Sequence, residues 1–469
     1  MNLVAKLLYN LVLHLALPLV LVRLWWRGRR EPGYREDWAQ RFGIYPQHGA
    51  GASVDAQAEA DANADAVAKV DAQNGAPNDA AIDAATDAGT DSAKPLIWLH
   101  AVSLGETIAA RPLVMALRER YPQHRLLITH MTATGRTAAQ REYGALAELA
   151  WLPYDFPWAM RRFFGHFAPA IGIVMETEVW PNLAHVAQCH GVRLLLANAR
   201  LSERSARGYQ RTAALLRPAF AAFDVCAQTA ADAERLKHLG VRTLSISGNL
   251  KFDTAVTEVP ATAVAALRAL TGARRVFLAA STREGEEALL LDALARAPLP
   301  LNDAIAVIVP RHPQRFDEVA ALLEKRQVSF VRRSAARLVP DDCTVLLGDS
   351  MGEMPAYYAL AHCAFVGGSL VPVGGQNMIE ACALGVPVLF GPHTFNFAEA
   401  AAQAEEAGAA QRVADADELM RVVNTLLGDA AQRSAMGNAG RAFCVAHRGA
   451  TARTMKVIAG LLAVAEVRR

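Results

Sequence analysis

Forty-eight basic side chains stand against 46 acidic ones, a formal net charge of only +2 over 469 residues. No basic stripe interleaves with aromatic residues, so nothing argues for nucleic-acid binding. Cysteine is sparse. The six, at 189, 226, 343, 363, 382 and 444, form no C-x-x-C pair. That argues against a zinc knuckle or disulfide framework and for a reducing compartment, with free buried thiols expected at all six. No D-x-D pair stands at a plausible binding position. Asp415-Ala-Asp417 comes late, before a helix, and reads as a cap. Aromatics are missing altogether from residues 49–94, which are almost entirely Ala, Asp, Gly, Asn and Ser. Such a stretch cannot bury enough surface to offset its ordering entropy, so it reads as a disordered insert whose acids are solvated.

What is present begins with an apolar N-terminus, residues 3–26, long enough to cross a bilayer although Pro18 interrupts it. Trp25 and Trp26 suit an interfacial belt. Arg23, Arg27, Arg29, Arg30 and Arg35 follow on the C-terminal side against Lys6 on the other, which keeps the body of the protein cytoplasmic. A spanning helix and an interfacial amphipathic helix both fit, and both place the protein on a membrane surface. From residue 95 short apolar strands alternate with helices: 95–100, 125–130, 171–175, 192–197 and 224–228, and then, after a boundary near 250–272, 275–280, 304–309, 329–331, 344–347, 364–366 and 386–390. This rhythm predicts parallel sheets with helices on both faces. The expected fold class is α/β, two Rossmann-like domains facing a cleft, as in the glycosyltransferase-B architecture. The expected division is an anchor helix (1–30), a connecting segment (31–48), the insert (49–94), an N-terminal Rossmann-like domain (95–250), a C-terminal Rossmann-like domain (272–450) and a C-terminal helix (451–469).

Polar motifs follow the strands, where ligands of such sheets bind. The densest run is 348–396, in which Gly-rich turns feed helix N-termini able to meet a phosphate. In HAVSLGE (100–106), Glu106 suits a general base. Its place at a helix N-terminus favours the ionised form. Equally, Ser103 and Glu106 form a capping box. In METEVWPN (175–182), Glu176 and Glu178 either bind acceptor hydroxyls or a cation, or one of them caps the helix beginning near Pro181. In GNLKFD (248–253), Lys251 either neutralises an anion or lies free on the surface. In ASTREGEE (280–287), Ser281 and Glu284 match a second capping box, and Arg283 can meet a phosphate or carboxylate. In VPRHPQRF (309–316), Pro310 stiffens a loop that aims Arg311 and His312 at a nucleotide phosphate. GDSMGEM (348–354) supplies the turn Met351, Gly352 and Glu353. GGQNMIEA (374–381) opens a helix at Asn377, Met378 and Ile379, with Glu380 placed to accept from ribose hydroxyls.

Assembled, these runs closely resemble the 3-deoxy-D-manno-octulosonic acid (Kdo) transferase family. The resemblance covers most of residues 94–397 and the apolar N-terminus. It implies a metal-independent, inverting transfer of Kdo, without a cofactor, from CMP-Kdo to a lipid A precursor, lipid IVA, at the membrane. Carried over by motif, Glu106 is the base. Pro310, Arg311, His312, Met351, Gly352, Glu353 and Asn377 to Glu380 bind CMP. Glu178 orients the acceptor. The family often has proline where this chain has Met378, which leaves the start of that helix less fixed. A two-domain UDP-sugar 2-epimerase is the competing enzyme reading, though an isomerase needs no anchor. A catalytically silent membrane scaffold is a third.

Overall fold

The structure is a computed structural model that describes residues 3–46, 94–254, 259–300 and 303–468. The Ala/Asp-rich insert, apart from Lys94, lies outside the described residues. The chain divides into two compact units, residues 1–248 with 451–469, and residues 249–450. The C-terminal helix Ala450–Arg468 therefore belongs almost wholly to the first unit.

Each unit is built on a seven-stranded sheet in which every pairing is parallel. The first contains β1 (Leu96–His100), β2 (Arg125–His130), β3 (Glu148–Trp151), β4 (Ile171–Met175), β5 (Arg193–Ala199), β6 (Phe223–Ala227) and β7 (Thr243–Ile246), in the order β3-β2-β1-β4-β5-β6-β7. The second contains β8 (Arg275–Thr282), β9 (Ala304–Pro310), β10 (Phe330–Arg332), β11 (Val345–Leu347), β12 (Cys363–Val366), β13 (Val388–Phe390) and β14 (Ala410–Arg412), in the order β10-β11-β9-β8-β12-β13-β14. Strand order reverses between β1 and β4 and between β8 and β12. At such a switch point the connections leave the strand ends in opposite directions and open a crevice at their C-terminal ends.

Central strands are buried on both faces, as their unbroken apolar runs require. β1, β4 and β9 are buried along their whole length. Three strands were not anticipated: β3, β7 and β14. All three are sheet edges with partly exposed residues, and β7 has no buried residue at all. The connecting segment covers the β3 edge: Gln40 Oε1 accepts from Trp151 N (2.9 Å), the Trp151 indole donates to the Glu36 carbonyl, and the Arg41 guanidinium lies 3.8 Å from the Trp151 ring. The expectation of six buried thiols fails at Cys189, which is exposed at the end of the helix Pro181–Cys189.

One glycine shows how tightly the second switch point is packed. A Cβ at Gly367, directly after β12, would stand 2.4 Å from the Ser281 carbonyl oxygen on β8. Gly367→Ala should cost about 1–3 kcal/mol in urea unfolding, because backbone rather than a flexible side chain must move.

Candidate active site

At the first switch point the loops after β1 and β4 bring three carboxylates together. A short helix runs from Leu104 to Ala109. Glu106 thus sits in its first turn. Glu106 Oε2 accepts from Val102 N (2.8 Å), and Oε1 accepts from Ser103 Oγ (3.1 Å). Neither bond of the expected capping box forms: Glu106 reaches back past the Ser103 N–H to that of Val102, and Ser103 makes no side-chain cap to the helix. The expectation that the helix N-terminus keeps Glu106 ionised is overturned. Burial pushes its pKa up to about 8, and the nearby charges of Glu176 and Glu178 push the same way. The two hydrogen bonds oppose this and lose, because each offsets only part of the cost of removing a carboxylate from water.

Glu176 takes the left-handed conformation, φ 55°, at the sharp turn leaving β4. A non-glycine residue there is strained, and such strain gathers at functional sites. The Arg200 guanidinium stands 4.0 Å from its Oε2. Glu178 Oε2 accepts from the Trp180 indole (3.0 Å), and burial raises its pKa. Neither glutamate caps the helix Pro181–Cys189. That role belongs to Asp155, whose oxygens accept from Asn182 N (3.0 Å) and Leu183 N (2.7 Å). Trp180 packs edge-on against His100, so the end of β1 and the loop after β4 touch through these rings. His100 and His130 end β1 and β2. Burial drives their pKa values down to about 3 and about 4, which holds both neutral. Among the described residues, no group of three or more such side chains is arranged to hold a metal ion.

The second switch point is organised by a residue that the sequence reading passed over. Glu286 is fully buried, and its carboxylate accepts from four backbone N–H groups: Arg283 (2.9 Å), Gly368 (2.6 Å), Ser369 (3.0 Å) and Leu370 (2.9 Å). It ties the loop after β8 to the loop after β12. The expected Ser281/Glu284 capping box is absent. Ser281 lies within β8, and the helix Glu286–Arg296 begins after Gly285, whose φ is 92°. Glu287 accepts from Thr282 Oγ1 (2.7 Å) and pairs through both oxygens with Arg315 (2.6 and 3.1 Å). Above this base a cationic group forms. Arg283 Nη1 lies 2.5 Å from His312 Nε2, and Arg311 N donates to the Thr282 carbonyl. Burial lowers the His312 pKa, and the charges of Arg283, Arg311 and Arg315 lower it further.

The remaining candidates divide. Asn377 Nδ2 donates to Glu380 Oε1 (3.0 Å), and its Oδ1 accepts from Ile379 N (3.1 Å), so this side chain occupies one of the N–H groups expected to face phosphate. Burial raises the Glu380 pKa, while the Asn377 hydrogen bond and the Arg311 charge oppose the rise. The Met378 and Ile379 side chains sit in the core, leaving only their backbone for a ligand. Pro310 ends β9 and is buried. Met351 is exposed, Gly352 has φ 80°, and Glu353 pairs with Arg333 (3.0 Å). The Lys251 ammonium lies 4.9 Å from the Phe397 ring rather than standing free on the surface. Two pockets, of about 370 and 510 Å³, lie at the other end of the sheets, beside the first residues of β9 and β11 and of β4 and β5.

The topology has solved counterparts. A glycosyltransferase from Rickettsia africae aligns with TM-score 0.56 at 11% identity, covering 79% of this chain and 99% of that one. A UDP-N-acetylglucosamine 2-epimerase from Neisseria meningitidis aligns with TM-score 0.55 at 15% identity, covering 78% and 99%. At these identities they define the fold alone, which is of the glycosyltransferase-B class. Sequence comparison is more specific. Residues 274–443 match the family "glycosyl transferases group 1", and residues 36–254 match "3-deoxy-D-manno-octulosonic-acid transferase (kdotransferase)". The 3-deoxy-D-manno-octulosonic acid transferase of Bordetella pertussis is 48% identical over 77% of this chain and 86% of its own length. That of Haemophilus influenzae is 38% identical over the same shares. The chain belongs to the 3-deoxy-D-manno-octulosonic acid transferase family.

The raised pKa of Glu106 carries a stability signature. Below about pH 4.5 the side chain is neutral whether the chain is folded or not. As pH rises toward 8 the unfolded chain releases this proton and the folded one keeps it, so stability is lost across that window. Glu106→Gln cannot ionise. Its melting temperature should match the parent near pH 4.5 and exceed it by about 2–5 °C at pH 8, as read by calorimetry.

Proposed function

We propose that the chain transfers Kdo, with inversion, from CMP-Kdo to the lipid A precursor lipid IVA at the cytoplasmic face of the inner membrane. The observation that carries this reading is the carboxylate of Glu106, held at the β1/β4 switch point with its pKa near 8. A general base works best when its pKa lies near the working pH, because it is then basic enough to take a hydroxyl proton and still partly ionised. Glu106 is that base in this reading. Glu178 and its neighbour Glu176 orient the acceptor sugar by accepting from its hydroxyls.

The donor is held in the other unit. Arg283, Arg311 and His312 stand together after β8 and β9 and supply positive charge where the CMP phosphate departs. Asn377 and Glu380 contribute hydrogen-bonding groups after β12, and the Met351–Glu353 turn frames the nucleotide. Guanidinium groups take the part that a metal ion plays in other transferases, so the reaction is proposed to need neither metal nor cofactor. The apolar N-terminal helix Leu3–Arg30 supports a membrane location for an enzyme with a lipid acceptor.

The test is CMP release from CMP-Kdo by the full-length protein with lipid IVA in detergent, with added sugars counted by mass spectrometry. Release only in the presence of acceptor supports transfer. Release without acceptor sinks it in favour of the isomerase-like alternative. Glu106→Ala should lower kcat about 10²–10⁴-fold with donor binding retained. The parent rate should rise with pH through about 8, since only the ionised carboxylate accepts a proton. Arg311→Ala should instead raise the donor KM about tenfold or more, through one lost charge-assisted contact. A chelator should leave the rate unchanged.

A further inference from the structure

The N-terminal helix has two apolar faces with different surroundings. Tyr9, Leu13, Leu17, Val20 and Leu24 recur at intervals of three and four and, with Asn10, are partly or fully buried. Leu8, Leu11, Leu15, Leu19, Val22 and Trp26 recur on the other face and are 52–72% exposed. The inward face is fastened by polar groups near its N-terminal end. Tyr9 donates its hydroxyl proton to Asp155 Oδ2 (2.9 Å). Asn182 Nδ2 donates to Asn10 Oδ1 (2.8 Å) and to the Asp155 carbonyl (2.6 Å). Asp155 is the residue that caps the helix Pro181–Cys189, immediately after the loop bearing Glu178. His14 packs edge-on against Phe156 (5.2 Å).

This geometry is incompatible with an ordinary spanning helix. Tyr9 and Leu24 are about 22 Å apart along the axis at 1.5 Å per residue, most of the roughly 30 Å hydrocarbon thickness. If Trp25 and Trp26 marked one interface and the helix ran inward from it, Tyr9 would lie deep in hydrocarbon. It would take Asp155, Asn182 and the polar start of another helix with it. A carboxyl group and a cluster of polar side chains at that depth are prohibitively costly. The outer face alone has no such conflict. It is uniformly apolar and ends in exposed Arg23, Arg27 and Arg29 beside exposed Trp25 and Trp26, which suits an anionic lipid surface.

We propose that the N-terminal helix lies along the membrane interface with its outer face in lipid, and that the Tyr9–Asp155–Asn182 hydrogen bonds fix the acceptor loop relative to that surface. The proposal rests on the membrane location given above and deepens it: a lipid acceptor carried in the same interface meets Glu178 on a loop fastened to the helix that lies there. Tyr9 and Asp155 are positioning residues, since they act through the loop and not on substrate.

The test uses full-length protein carrying Cys189→Ser, which removes the exposed thiol, with Leu8→Cys, Leu15→Cys or Val22→Cys labelled by an environment-sensitive fluorophore. Vesicles of phosphatidylethanolamine and phosphatidylglycerol carry a nitroxide at a shallow or a deep acyl position. All three labels should be quenched more by the shallow nitroxide, with shallow-to-deep ratios within about twofold of one another, as for a helix parallel to the surface. A middle label quenched best by the deep nitroxide means a crossing helix and overturns the proposal while leaving the membrane location standing. No quenching at any label overturns both. In lipid IVA-loaded vesicles, Tyr9→Phe should raise the acceptor KM about three- to tenfold, the loss of one buried hydrogen bond, with donor KM and kcat unchanged. Unchanged acceptor KM would overturn the coupling.

Discussion

Parallel strands buried on both faces leave only one place for polar chemistry, the few residues after each strand ends. Everything in this protein follows from that constraint. β1, β4 and β9 carry no exposed residue. The groups that can meet a ligand are therefore crowded into the loops that follow them, in partly buried surroundings where each carboxylate must be satisfied by neighbours or be penalised. At both switch points a glutamate answers this demand, and the two answers differ.

Glu286 is saturated. Four backbone N–H groups converge on one carboxylate, which holds the loops after β8 and β12 in a single arrangement. Burial still raises its pKa, yet the rise is opposed by all four hydrogen bonds. Glu106 is under-satisfied. It has one N–H, one hydroxyl and two like-charged neighbours, and its pKa climbs to about 8. A fully bonded carboxylate is a fastener, while one left short of donors and crowded by like charge has a proton to exchange. The hydrogen bonding and the basicity of Glu106 are thus not rivals. The bonds from Val102 N and the Ser103 hydroxyl orient the side chain, and their small number keeps it basic.

The central strands were legible in the sequence because burial on both faces writes itself as uninterrupted apolar runs. β2 and β4 begin and end where those runs do. The edges were not legible. β3, β7 and β14 are short, half-exposed and paired on one side only, so their residues carry little of the pattern. The motif positions were legible as polar interruptions at strand ends, but the partners within them were not. Glu286 and Glu287 lie in a visible acidic run, and only the folded loops show that one binds backbone and the other binds Arg315. Asp155 gave no local sign at all. Its partners stand 27 and 28 residues along the chain and, at Tyr9, 146 residues back.

The distribution of charge between the two switch points has a physical logic of its own. An arginine beside Glu106 would lower its pKa through direct attraction and make it a poorer proton acceptor. In that unit the Arg200 guanidinium is directed to Glu176, at 4.0 Å. In the second unit Arg315 is consumed by Glu287, but among the described residues Arg283 and Arg311 meet no carboxylate as closely, and Arg283 faces a histidine whose pKa is lowered by burial and then by their charge. Cations free to meet a phosphate and carboxylates free to take a proton would neutralise each other if they shared one crevice. Setting them on separate sheets preserves both: the proposed base keeps its basicity and the proposed donor site keeps its charge until substrates supply the counterpart of each.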